Sequence, residues 1–72
     1  MNLIELKCIR IRRGLTQSAI DAALNKERGW YHRCEVGAKN LTLTDVIEIS
    51  KALTMNLSEV NLVFFDNRIP PV

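Results

Sequence analysis

The stretch LTQSAIDAALNKERGWYHRCEVG, residues 15–37, predicts a short helix, a tight turn and a second short helix. Thr16 can cap the first helix with its hydroxyl. Ile20 and Leu24 then lie four residues apart on one helical face. Asn25 tolerates the left-handed backbone that a tight turn needs. Two short helices joined in this way form the supersecondary unit called a helix-turn-helix.

The bounds of the two helices follow from the apolar spacing. The first is predicted over residues 17–24 and the second over residues 27–35. Tyr31 and Cys34, three residues apart, form the inward face of the second helix. Gly37 follows it, because glycine commonly ends a helix with a positive φ at no steric cost.

Three further helices surround this unit. Each begins with a polar residue followed three positions later by an acid, the pattern of a capping box. These pairs are Asn2–Glu5, Thr42–Asp45 and Asn56–Glu59, and the helices are predicted over residues 3–13, 43–53 and 57–63. The sequence IPPV at residues 69–72 cannot be helical. We therefore expect an all-α, five-helix domain over residues 1–65 and an extended C-terminal tail over residues 66–72.

Composition and charge fit one small domain. Seventy-two residues allow a single core, and no apolar run is long enough to suggest a membrane span. The net charge is +2. Residues 1–40 hold eight Lys/Arg and four Asp/Glu, whereas residues 41–72 hold two and four. The positive field thus lies on the half with the predicted helix-turn-helix, where it would attract phosphates.

The sequence predicts neither an enzyme nor a metal or cofactor site. It contains no carboxylate pair, Ser/His/Asp set or glycine-rich phosphate loop placed for catalysis. His32 and Cys34 lack the further ligands that zinc needs. Cys8 and Cys34 are expected to be free thiols in a reducing compartment, and the absence of a signal-peptide pattern predicts a cytoplasmic protein.

Aligned without gaps, almost the whole chain resembles the Cro/CI-type (XRE) DNA-binding domains. The matching segments are LKCIRIRRGLTQ at residues 6–17, RCEVG at residues 33–37 and LTLTDVIEISKALTMNLSEV at residues 41–60. The resemblance implies a compact repressor-like fold whose helices 2 and 3 form the helix-turn-helix. It also implies a small transcriptional regulator of a phage or mobile-element switch, with double-stranded operator DNA as its partner.

The resemblance places the DNA-contacting positions on seven residues. They are Gln17, Glu27, Arg28, Gly29, Arg33, Lys39 and Asn40. Arg28 suits base reading, since a guanidinium can bridge guanine O6 and N7. Gln17, at a helix start, suits a phosphate, and Lys39 and Asn40 suit the DNA backbone. The alternative for each is an ordinary solvated side chain.

Two further positions are implied to be structural. Arg10 and Glu35 match an arginine–glutamate pair that, in the family, fixes helix 3 against helix 1. Asp21 stands where the family has a small alanine between helices 2 and 3. A carboxylate at that position must turn outward or find a donor, because burial without a partner is costly.

A second interpretation is a protein-binding module. Small phage antirepressors, which the chain also resembles, bind the helix-turn-helix domain of a partner repressor. Such a surface is predicted to include Arg28, Trp30, Tyr31, Phe64 and Phe65. Trp30 alone allows three interpretations: stacking on DNA, anchoring a protein interface, or leaning partly buried on helix 2.

A third interpretation is a restriction–modification controller protein. The sequences NLT at residues 40–42 and VFF at residues 63–65 resemble segments of that group, whose C-terminal helix pairs in a dimer. Leu62, Phe64 and Phe65 form an apolar cluster that is too large to remain exposed to solvent without a reason. The cluster either pairs two copies as a homodimer or folds back over its own core.

Overall fold

A computed structural model describes residues 1–70. Within that range the chain forms five α-helices and no strand, which confirms the all-α prediction. The helices are α1 (Leu3–Arg12), α2 (Gln17–Ala23), α3 (Trp30–Glu35), α4 (Leu43–Ala52) and α5 (Leu57–Phe64). None of these helices is both long and apolar enough to cross a bilayer.

The helix starts follow the predicted capping residues, with one difference. The capping boxes of α4 and α5 are complete, with both reciprocal hydrogen bonds formed. At α1 only half of the box is present. The Asn2 side chain accepts from the Glu5 backbone N–H at 3.0 Å, but the Glu5 carboxylate pairs with Arg12 at 2.9 Å. The Glu5 carboxylate therefore pairs with a charged side chain seven residues along α1, and not with the neutral backbone N–H of Asn2.

One core collects the inward faces of all five helices. Its buried members are Leu6, Ile9, Ile20, Trp30, Tyr31, Cys34, Val46, Ile49, Leu53, Val63 and Phe64. Helix α3 lies at the centre, packed against α1 and α2, while α5 packs on α1 and α4 on α2. Helix α3 contributes Trp30, Tyr31 and Cys34 to this core. Because burial of a large apolar side chain contributes about 1.5–3 kcal/mol, these contacts hold α3 in its orientation.

The segment after α5 turns back instead of extending. Asp66 and Asn67 adopt positive φ values of 50° and 60°. The Asn61 side chain then donates to the Ile69 carbonyl at 2.8 Å and accepts from the Ile69 N–H at 3.0 Å. The terminal amine of Met1 lies 2.8 Å from the Asp66 carboxylate. The predicted extended tail is thus wrong for residues 66–69, and residues 71–72 lie outside the described range.

Candidate functional site

Helix α3 begins three residues later than its apolar spacing predicts. Glu27, Arg28 and Gly29 form a turn, and the helix starts at Trp30. Gly29 has φ +88°, a left-handed conformation that residues with a Cβ adopt only at a cost. The glycine that the resemblance assigns to the DNA-reading face is therefore the residue that sets where α3 starts.

Asp21 caps α3 from the neighbouring helix. Its side chain is buried, and its two carboxylate oxygens accept from the backbone N–H groups of Gly29 at 3.0 Å and Tyr31 at 2.8 Å. These are donors that an isolated α3 would leave unsatisfied. Of the two outcomes expected for this carboxylate, finding a donor is the one that the structure contains. Its capping role was not predicted from the sequence, because the donors are eight and ten residues away.

Arg10 and Glu35 form a two-pronged ion pair between α1 and α3. Arg10 Nε lies 2.9 Å from Glu35 Oε2, and Nη2 lies 3.0 Å from Oε1. Arg10 Nη1 also donates to the Leu15 carbonyl at 3.0 Å. Burial is the largest single influence and raises the pKa of Glu35, but the hydrogen bonds and charge of Arg10, together with the Tyr31 and Gln17 side chains, outweigh it and hold that pKa below its ordinary value. The pair fixes α3 against α1 and the start of α2.

Gln17 belongs to the same network instead of projecting freely from the start of α2. Its Nε2 donates to Glu35 Oε1 at 3.3 Å, and its Oε1 lies 3.3 Å from His32 Nδ1. His32 itself is exposed. A phosphate contact by Gln17 must therefore use the backbone N–H or exchange one of these hydrogen bonds.

The turn before α3 presents the most accessible cation of this region. Arg28 is exposed and, within residues 1–70, neither hydrogen bonded nor paired with a carboxylate. A groove of about 370 Å³ lies beside it, lined also by Ser18, Asp21, Ala22 and Lys26. Arg33 is half-exposed and held by Glu27 at 2.6 Å. Arg28, the predicted base-reading residue, thus has no carboxylate partner within residues 1–70. Arg33, the second predicted arginine, is already paired with Glu27.

The loop after α3 holds the remaining predicted contacts. Asn40 is exposed. Lys39 lies 3.9 Å from Asp45 and 5.9 Å from the centre of the Trp30 ring. Lys26 lies on the same ring at 5.1 Å. Two ammonium groups thus lie over the Trp30 indole. These cation–π contacts hold both lysines beside α3.

Most of the predicted protein-binding surface is buried. Trp30 is 7% exposed, Tyr31 is completely buried, and Phe64 is buried beneath the turn that follows α5. Phe65 is half-buried, and Arg28 alone of the five is exposed. The structure therefore does not present these five residues as one exposed surface, because Trp30 opens α3 facing inward and Phe64 lies in the core.

The Cys34 thiol and the Tyr31 phenol in the core are protonated at neutral pH. Burial raises the pKa of the Cys34 thiol to about 11, and its sulfur lies 3.3 Å from the Trp30 carbonyl as a hydrogen-bond donor. Burial likewise raises the pKa of Tyr31 well above its ordinary value. Cys8 is also a free thiol. The Cys34 and Tyr31 side chains therefore contribute to the packing of the core.

Every acidic side chain of the chain is already engaged. Six carboxylates lie at ion-pair distance from lysine or arginine: Glu5 with Arg12, Glu27 with Arg33, Glu35 with Arg10, Asp45 with Lys39, Glu48 with Lys26, and Glu59 with Arg13. Asp66 pairs with the terminal amine, and Asp21 accepts from backbone N–H groups. Four cations have no carboxylate partner among residues 1–70: Lys7, Arg28, Lys51 and Arg68. The side-chain charge left without a partner within residues 1–70 is therefore positive.

Comparison of the chain with known protein families, with curated proteins and with solved structures finds no match in any of the three.

Proposed function

We propose that this protein is a small transcriptional regulator of the Cro/CI type, which binds operator DNA with α2 and α3 acting as a helix-turn-helix. The observation that carries the proposal is the contrast between the two sides of this helix pair. The inner side is held by the buried Asp21 cap and by the Arg10–Glu35 pair. On the outer side Arg28 is exposed and has no acidic partner within residues 1–70.

The roles of the contact residues follow from their surroundings. Arg28 is the base-reading candidate, since its guanidinium is free to bridge guanine O6 and N7. Lys26 and Lys39 lie over Trp30 but also pair with Glu48 and Asp45, so each contacts a phosphate only by exchanging that acid. Arg33 joins the interface only if a phosphate or base displaces Glu27.

The first test is a salt titration of the purified chain against pooled short duplex DNA, read by fluorescence anisotropy. We expect binding that weakens steeply as salt rises, because neutralised phosphates release counterions. Absence of binding at low salt, from a chain that circular dichroism shows to be folded, contradicts the proposal.

Arg28→Ala tests the residue that the proposal depends on most. We expect it to relax base preference and to lower affinity for a selected duplex about tenfold, since a bidentate base contact contributes about 1–3 kcal/mol of discrimination. Lys51→Ala is the matched control: it also removes a cation without a carboxylate partner, but from α4. Equal effects of the two substitutions would show that only net charge matters and would remove Arg28 as a base reader.

A further inference from the structure

A second recognition surface lies between α1 and α3, on residues that the DNA-binding proposal does not use for base reading. A groove of about 410 Å³ runs there, with Ile4 and Val36 on its walls and the Arg10–Glu35 pair among its lining residues. Ile4 is 79% exposed and Val36 is 58% exposed. We call this feature the α1–α3 groove.

The apolar walls favour a protein occupant over a nucleic acid. Exposed aliphatic side chains that line one groove gain free energy only when another apolar surface covers them. The sugar–phosphate backbone offers little such surface. An amphipathic helix laid into a hydrophobic groove offers a row of apolar side chains at helical spacing.

The charge at the groove restricts the partner further. Lys7 lines the groove, is exposed, and has no carboxylate partner among the described residues. The exposed imidazole of His32 also lines the groove. A complementary occupant therefore carries a carboxylate beside its apolar row.

A second copy of this chain supplies such a carboxylate only by exchanging an existing contact. All eight of its acidic side chains are engaged by cations of the same chain, by its terminal amine or by backbone N–H groups. Pairing two copies through this groove would require breaking one of those contacts. The charge balance thus points to a different, acidic protein.

We infer that the α1–α3 groove is a docking site for an acidic amphipathic helix of another protein. The groove needs no rearrangement, because the buried Arg10–Glu35 pair already fixes α1 against α3. Gln17 and His32 line the groove and also lie on the α2–α3 side of the molecule. An occupant would cover both residues and compete with DNA. The docking is independent of the DNA-binding proposal, and only the competition with DNA rests on it.

The test is a selection from a displayed library of randomised helical peptides of about 15 residues. The bait is the wild-type chain, and the Ile4→Ser/Val36→Ser double variant serves for counter-selection. We expect the enriched peptides to have apolar residues three and four positions apart, flanked by Asp or Glu. Anisotropy with a labelled enriched peptide then measures affinity for each variant.

Two single variants distinguish binding in the groove from non-specific binding elsewhere on the surface. Ile11→Ser removes an equally apolar side chain from the same helix, 56% exposed and outside the groove. We expect it to bind like the wild type, whereas the double variant and Lys7→Glu each weaken binding about tenfold or more. Circular dichroism and the thermal midpoint establish that each variant is folded.

Three results would overturn the inference. One is a library without enriched peptides, or with basic ones. Another is equal binding by the wild type and the double variant, which would place the peptide elsewhere. The third is a loss of duplex DNA affinity in the double variant as large as in Arg28→Ala, which would make the groove part of a DNA interface. The DNA measurement is separate, so either proposal can fail without the other.

Discussion

At the scale of single residues, the decisive side chain is Asp21. An acid between two packed helices is unfavourable unless its oxygens are satisfied, and here both accept backbone N–H groups at the start of α3. Sequence reasoning reaches the requirement but not the partners, since nothing local in residues 21–31 says which N–H groups will approach. The arginine–glutamate pair is different: Arg10 and Glu35 were predicted together from the family pattern and lie in contact.

Asp21→Ala therefore removes two hydrogen bonds and leaves two N–H groups without a partner. We expect the free energy of unfolding to fall by about 2–3 kcal/mol, the range for charged hydrogen bonds and unsatisfied buried donors. Urea denaturation followed by circular dichroism measures it. Glu27→Ala is the control, an exposed acid six residues along the chain, and should change stability by less than about 0.5 kcal/mol. Similar losses in both variants would contradict the capping role.

At the scale of elements, apolar spacing and capping pairs together located all five helices, and the chief difference is the start of α3. The predicted range of residues 27–35 became Trp30–Glu35, because Gly29 is left-handed and Asp21 caps the helix from outside. Both facts depend on the packing of α2 against α3. The orientation of Trp30 was unpredictable for the same reason: a residue at the first position of a six-residue helix has too little periodicity around it to define a face.

The same element gives a prediction about backbone strain. At Gly29 an added Cβ would lie 3.6 Å from the Arg33 side chain, an ordinary contact, so the cost of a side chain arises from the φ of +88°. We expect Gly29→Ala to lower the free energy of unfolding by about 1–2 kcal/mol. Gly29→Asn should lose less, since asparagine tolerates the left-handed region better. Denaturant titration of both variants decides the matter, and an alanine variant as stable as the wild type would show that α3 can begin earlier.

At the scale of the whole molecule, charge is distributed so that acids fix the fold and spare cations face outward. The acids that the ion pairs hold join helices distant in sequence: Glu35 ties α3 to α1, and Glu59 ties α5 to Arg13 at the end of α1. Their pairing leaves Lys7 and Arg28 without carboxylate partners in the described range, one at each of the two proposed recognition surfaces. The excess of basic residues in the N-terminal half was visible in the sequence. Which cations remain free depends on the fold, and the sequence could not predict it.

This distribution makes stability depend on pH in a direction that can be worked out. The pKa values of Glu35, Asp45 and Glu59 lie below their ordinary values of 4.5, 3.8 and 4.5, so the folded chain holds fewer protons than the unfolded chain in acid. Their stabilisation is present above about pH 4.5 and is lost as the pH falls through the folded values. The Cys34 pKa is raised from 9.0 to about 11, so its contribution is present below pH 9.0 and is lost as the pH rises above it.

Thermal midpoints measured across this range should form a plateau that declines on both sides. The pKa of Glu59 is lowered first by the hydrogen bond from the Asn56 backbone N–H and then by Arg13. Glu59→Gln removes this acid and should make the acid-side decline shallower, whereas an unchanged decline would mean that neither contact holds the Glu59 carboxylate in solution.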